Sequence, residues 1–239
     1  MTVVSYILLI LGVTFTVIFM IDKIHKYSVR ETIFKAFASL CFVALATYHS
    51  HSRGMTFFAM MTIIALLFGL LGDIWLDLKY VYKDHQRLYT YAGFLCFGVG
   101  HIFFITGMFK QFYVAGNVLY VILPFVFGLL MAIVTLIIEK PMKLHYGKMK
   151  LIVFTYGFLL FSMFGTAFSL YVLSGFRSLT LLLMSIGGCL FASSDLVLSG
   201  TYFGKGKERA IDLASNIALY YAAQFIISFS ILAMGMMMF

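Results

Sequence analysis

Charge is scarce in this chain. Only 11% of its 239 residues are Asp, Glu, Lys or Arg, against about 25% in a soluble domain. Proline is nearly absent, with two in the whole sequence. No stretch alternates polar and apolar residues, so a transmembrane β-barrel, whose strands repeat with period two, is excluded. The three cysteines, Cys41, Cys96 and Cys189, lie in apolar surroundings at spacings that fit no zinc motif, and they read as small buried hydrophobes. No glycine-rich phosphate loop or dinucleotide fingerprint is present: Gly98-Val99-Gly100 falls inside a helical pattern and lacks a preceding strand. No run of arginines resembles a voltage sensor. A zinc hydrolase needs three protein ligands, and a single histidine, His101, falls within the apolar segments. No cofactor is expected.

What the chain has is apolar surface. Hydrophobic residues make up 63% of it, and runs of roughly 17–25 apolar residues can cross a bilayer as helices. Eight such runs stand out: Val3–Ile21, Ile33–Tyr48, Met55–Leu78, Leu88–Phe109, Asn117–Ile138, Leu151–Leu173, Leu179–Leu198 and Ile211–Phe239. The second is short and carries Lys35. The expected fold is an all-α polytopic membrane protein with eight transmembrane helices and no soluble domain. The first run lacks a basic leader and a small-residue cleavage site, so it reads as a span rather than a signal peptide.

Lysine and arginine set the orientation. The loops after the odd-numbered segments hold fourteen of them, including Lys23, Lys35, Lys79, Lys83, Arg87, Lys148 and Lys205, while Arg53, Lys110 and Arg177 stand alone in the other three loops. Both termini should therefore face away from the cytoplasm, at the cell membrane if the chain is bacterial. The formal net charge of +8 then reflects loops facing anionic lipid headgroups, with no nucleic acid as partner.

Two aspartates carry the functional signal. Asp73 lies near the end of the third segment and Asp195 near the end of the seventh. An intramembrane carboxylate costs several kcal/mol or more and is a functional hypothesis by default. Aligning the two superposes Tyr80 on Tyr202, Lys83 on Lys205 and Arg87 on Arg209 without a gap. This predicts a parallel repeat of two four-helix units, 1–112 and 113–239, about an axis near the membrane normal. Asp73 is six residues before Lys79, which sets it about 9 Å above the cytoplasmic boundary. Asp77 follows one turn on, and Glu139 ends the fifth segment; both read as membrane-interface residues. His101 is expected to line the space between the aspartates and to orient one of them or a water. Gln224 is expected to share that space. Tyr220, Tyr221 and Gln224 share a face of the last segment, and plain interhelical hydrogen bonding accounts for them equally well. Ser194 beside Asp195 lacks an activating base and reads as a hydrogen-bonding residue.

Gly72-Asp73, the stretch Gly93–His101, Phe191-Ala192-Ser193-Ser194-Asp195 and Tyr220-Tyr221-Ala222-Ala223-Gln224 together resemble the YhhN-type lysoplasmalogenases. That resemblance spans both halves of the chain. It implies an eight-helix membrane hydrolase that cleaves the vinyl ether bond of a lysoplasmalogen to a fatty aldehyde and a glycerophospho-ethanolamine or -choline. The chemistry asks for one protonated acid and one ionised base, a division that two carboxylates in different environments supply. Asp73, Asp195 and His101 are the candidate catalytic residues. Ser194, Tyr220, Tyr221, Gln224, Asp77, Lys83 and Lys205 are the candidate substrate-binding residues, with the phosphate near Lys83 or Lys205. Metal binding by Asp73, Asp195 and His101, and a proton-coupled carrier of a small amphiphile, are the alternatives.

Overall fold

The computed structural model describes residues 2–25, 29–113, 117–204 and 209–236. Among them are eight long α-helices: α1 (Val3–His25), α2 (Val29–Arg53), α3 (Phe57–Val81), α4 (Gln86–Phe112), α5 (Leu119–Ile137), α6 (Lys150–Leu173), α7 (Leu179–Phe203) and α8 (Ala210–Leu232). Seven of these are long and apolar enough to cross a membrane, as expected of a multi-pass membrane protein. The exception is α2, which carries Glu31, Lys35, His49, His51 and Arg53. It runs well past both ends of the apolar run Ile33–Tyr48 because its polar side chains find partners inside the bundle.

Two helix starts are fixed in the same way. Thr56 caps α3 by accepting from Ala59 N at 3.1 Å. Ser178 caps α7 by accepting from Leu181 N at 3.4 Å. A side-chain oxygen at this position satisfies an amide the helix leaves free. The interval from Thr56 to Ser178 equals that from Asp73 to Asp195.

Helix packing follows the same arithmetic. Each of α2 and α6 is a hub: α2 packs on α1, α3 and α8, and α6 packs on α5, α7 and α4. Advancing every label by four maps the first set onto the second. The most extensive pairs are α3 with α4, α5 with α6 and α7 with α8, and glycine permits the approach. A Cβ on Gly72 would lie 2.7 Å from the Phe97 ring, and one on Gly100 would lie 3.0 Å from the Ala65 carbonyl oxygen. On α5 the buried residues are Pro124, Gly128 and Ala132, four apart. Such small-residue stripes let helices pack closely without a hydrophobic driving force. Much of the opposite face of α5, including Leu123, Leu130 and Ile137, is exposed, as a lipid-facing helix requires.

The centre of the bundle is apolar and aromatic, with Phe19, Phe42, Leu66, Met163, Phe191 and Ile227 fully enclosed. Polar residues are buried in it at one end, around Asp73, and in a smaller group at the other. There His49, which the sequence reading left just outside the second segment, is fully buried. Its Nδ1 donates to the Ser228 carbonyl at 3.3 Å, and its Nε2 accepts from the Ser5 hydroxyl at 3.0 Å. His101 is therefore not the only histidine within the bundle.

Candidate active site

Asp73 sits on the face of α3 that meets α2 and α8. Its Oδ2 accepts from the Ser39 hydroxyl at 2.6 Å and from the Tyr220 hydroxyl at 2.8 Å. Its Oδ1 is 3.4 Å from Lys35 Nζ. One turn on, Asp77 Oδ1 is 3.2 Å from Lys35 Nζ and 3.0 Å from Lys23 Nζ, and Lys23 also pairs with Glu31 at 3.0 Å. Glu31, Lys23, Asp77, Lys35 and Asp73 thus form a ladder of alternating charge from α1, α2 and α3, all of it buried. Buried charges survive only when paired and hydrogen-bonded, because desolvation costs several kcal/mol per ion.

The ladder bears on three readings of the sequence. Asp77, read above as a membrane-interface residue, is enclosed in the bundle and only 2% exposed, with two lysines compensating its charge. Lys23 and Lys35, counted above as loop charges, are buried within α1 and α2. They fell outside the candidate site because lysines near the end of an apolar run usually reach toward headgroups.

Asp195 on α7 has different surroundings. Its Oδ2 accepts a hydrogen bond from the Tyr156 hydroxyl on α6. No lysine or arginine among the described residues lies within ion-pairing distance of it. Asp73 and Asp195 nevertheless line one cavity, together with Lys35, Tyr156, Tyr220 and Tyr221. It holds about 50 Å³ of free space, room for a few water molecules. Asp195 and Tyr156 also border a second pocket of about 60 Å³ between α5, α6 and α7. Its other walls are mainly apolar, among them Ile138, Leu160, Phe161 and Leu196. The carboxyl of Asp195 therefore stands at a junction between a polar and an apolar space.

The remaining candidates divide. Tyr221 lines the shared cavity, and its hydroxyl lies 3.0 Å from Ser39 Oγ. Ser194 lines it too, tied to α8: its hydroxyl donates to the Asn216 carbonyl at 3.2 Å, and Asn216 Nδ2 donates to Ser194 Oγ at 2.8 Å. Lys83 lies in a short turn between α3 and α4 and lines an open basic hollow below. Lys205 falls outside the described residues.

His101 and Gln224 are not on the cavity wall, contrary to expectation. The His101 ring packs on Tyr156 and Phe191, with centroids 5.6 and 5.1 Å away, so aromatic rings screen it from the space. Neither ring nitrogen has a hydrogen-bond partner among the described residues. Gln224 is buried one turn beyond Tyr220; its Nε2 would meet a Cβ placed on Gly69 at 3.3 Å. Three contacts were not anticipated: Tyr156 to Asp195, Ser39 to Asp73 and Lys35 to Asp73. No sequence spacing links these pairs, since the partners lie on different helices. Among the described residues, no three His, Cys, Asp or Glu side chains converge to hold a metal ion.

A protein-family model described as the YhhN family matches residues 30–231. No curated protein and no solved structure matches the chain.

Proposed function

The chain belongs to the YhhN family, and from that premise we propose that it is a membrane hydrolase acting on the vinyl ether of a lysoplasmalogen-like lipid. We further propose that all eight helices span the bilayer, as two parallel four-helix units with both termini outside the cytoplasm. The matching hub arrangement of α2 and α6 supports the repeat.

The observation that carries the reading is the pair of aspartates on one cavity in contrasting settings. Asp73 has Lys35, Ser39 and Tyr220 about it; Asp195 has Tyr156 and an apolar pocket beside it. Asp73, beside an ammonium, is assigned as the carboxylate, and Asp195 as the proton donor.

The chemistry then balances. Asp195 gives its proton to the vinyl carbon β to oxygen, and the double-bond electrons form that C–H bond, leaving an oxocarbenium ion. Tyr156 donates to the Asp195 carboxylate as it forms. Asp73 takes a proton from water, whose oxygen adds to the cation to give a hemiacetal. The C–O bond to glycerol breaks as the hemiacetal hydroxyl loses its proton and the departing oxygen gains one. Aldehyde and alcohol leave, and the proton on Asp73 returns through cavity water to Asp195. The alkyl chain runs into the apolar pocket beside Asp195, which must widen to admit it.

The test is aldehyde release from 1-alkenyl lysophosphatidylethanolamine by purified protein. Asp73→Asn and Asp195→Asn should each lower kcat by about 10²–10⁴-fold while the protein stays folded and binds lipid. The rate should be bell-shaped in pH and slower in D₂O. Full activity in either variant removes that residue from catalysis. The alternating ladder from Glu31 to Asp73 favours one rival, a proton-coupled carrier; in that case purified protein releases no aldehyde and reconstituted vesicles take up protons with substrate.

A further inference from the structure

Below the aspartate cavity, where α3, α4 and α7 reach the basic end of the bundle, lies an open hollow of about 830 Å³. Among the described residues its walls carry Lys79, Lys83, Arg87 and Lys148, against one carboxylate, Asp84. These cations come from two stretches of chain, residues 79–87 and the segment around Lys148, that the fold holds together. Tyr91 OH on α4 donates to the Lys148 carbonyl at 2.9 Å. The segment before it is bridged to the end of α7, where His145 N donates to the Phe203 carbonyl at 2.8 Å. The basic residues therefore line a formed concavity rather than separate loops.

Tyr80, Thr201 and Tyr202 line both this hollow and the aspartate cavity. They form the floor of one and the roof of the other. Tyr80 and Tyr202 stand at the same interval as Asp73 and Asp195. Lys79 Nζ lies over both rings, 4.7 Å from the Tyr80 centroid and 2.9 Å from that of Tyr202. The two tyrosines thus hold a cation on the wall between the two spaces.

We propose that this hollow binds the phosphate of a single-chain phospholipid whose chain passes between Tyr80 and Tyr202 toward Asp195. The proposal rests on the hydrolase reading for the identity of the lipid. It names the headgroup subsite, Lys83, Arg87 and Lys148 supplying charge and Lys79 standing on the wall between the two spaces. Phosphate also exists free in solution, and the two sources differ in whether the chain adds affinity.

Binding, not turnover, tests this. The probes are a saturated 1-O-alkyl lysophosphatidylethanolamine, which has no vinyl ether to cleave, the matching 1-O-alkylglycerol without phosphate, and inorganic phosphate. Each is titrated calorimetrically into protein in a neutral maltoside detergent. Lys83→Gln, Arg87→Gln and Lys148→Gln are combined in one variant; all three residues are exposed, and its thermal unfolding confirms folding. The wild type should bind the phospholipid more tightly than the alkylglycerol. The triple variant should lose roughly a hundredfold for the phospholipid, about fivefold per cation, and nothing for the alkylglycerol. Equal affinities for the two lipids, or unchanged phospholipid binding in the variant, overturn the subsite. Inorganic phosphate binding as tightly as the phospholipid overturns the lipid source. An inactive protein that gives the expected binding pattern leaves the subsite standing and removes only the hydrolase reading.

Discussion

The ammonium of Lys35 on α2 lies 3.4 Å from Oδ1 of Asp73 on α3, inside the bundle. The same ammonium is 3.2 Å from Asp77. One lysine thus bridges two carboxylates on a neighbouring helix, of which Asp77 also has Lys23 and Asp73 does not. Lys35→Met should strand Asp73 and cost about 3–5 kcal/mol, the usual penalty for breaking a buried pair. Adding Asp73→Asn should restore most of the stability without restoring activity, because Asp77 keeps Lys23 while the assigned carboxylate is gone. Thermal unfolding in detergent, with parallel aldehyde assays, measures both effects; independent, additive losses would show that the ladder is not one unit.

Tyr156 donates to the carboxyl assigned as the acid, so its hydroxyl should matter most as Asp195 becomes a carboxylate. Tyr156→Phe is expected to lower kcat by about 10–100-fold, the worth of one hydrogen bond to a charged group, with KM little changed. A rise in KM at constant kcat would instead make Tyr156 a binding residue.

His101 is screened from the cavity by aromatic rings. His101→Leu replaces a buried, unpartnered polar ring with an apolar group, a change that can be neutral or stabilising. Its activity should stay within tenfold of wild type, and its melting temperature should hold or rise. Loss of activity on the scale of the aspartate variants would restore His101 to the catalytic group.

Gly72 precedes the catalytic candidate and faces Phe97, where an added Cβ would come within 2.7 Å. Gly72→Ala should push α3 from α4 and cost about 1–3 kcal/mol. Because Asp73 is the next residue, activity should fall along with stability. Pairing it with Phe97→Leu makes room for the methyl and should recover part of both.

Composition alone determined that the chain is built of helices long and apolar enough to cross a membrane. Apolar runs of spanning length need nothing beyond local sequence, because a helix satisfies its own backbone. All eight helices were legible in that way, and seven of them are long and apolar enough to cross a membrane. The two aspartates were also visible, since a carboxylate in an apolar run is conspicuous wherever it lies. The full extent of α2 was not legible: Glu31, Lys35 and His49 look like loop residues until Lys23, Asp77, Ser5 and Ser228 are brought to them. Only tertiary structure placed Asp73 and Asp195 on one cavity, gave one a lysine and the other a tyrosine, and moved His101 behind a ring. Desolvation is the physical reason. Local sequence shows that a polar group will be buried, whereas its cost and chemistry depend on partners from other helices, and packing alone selects them.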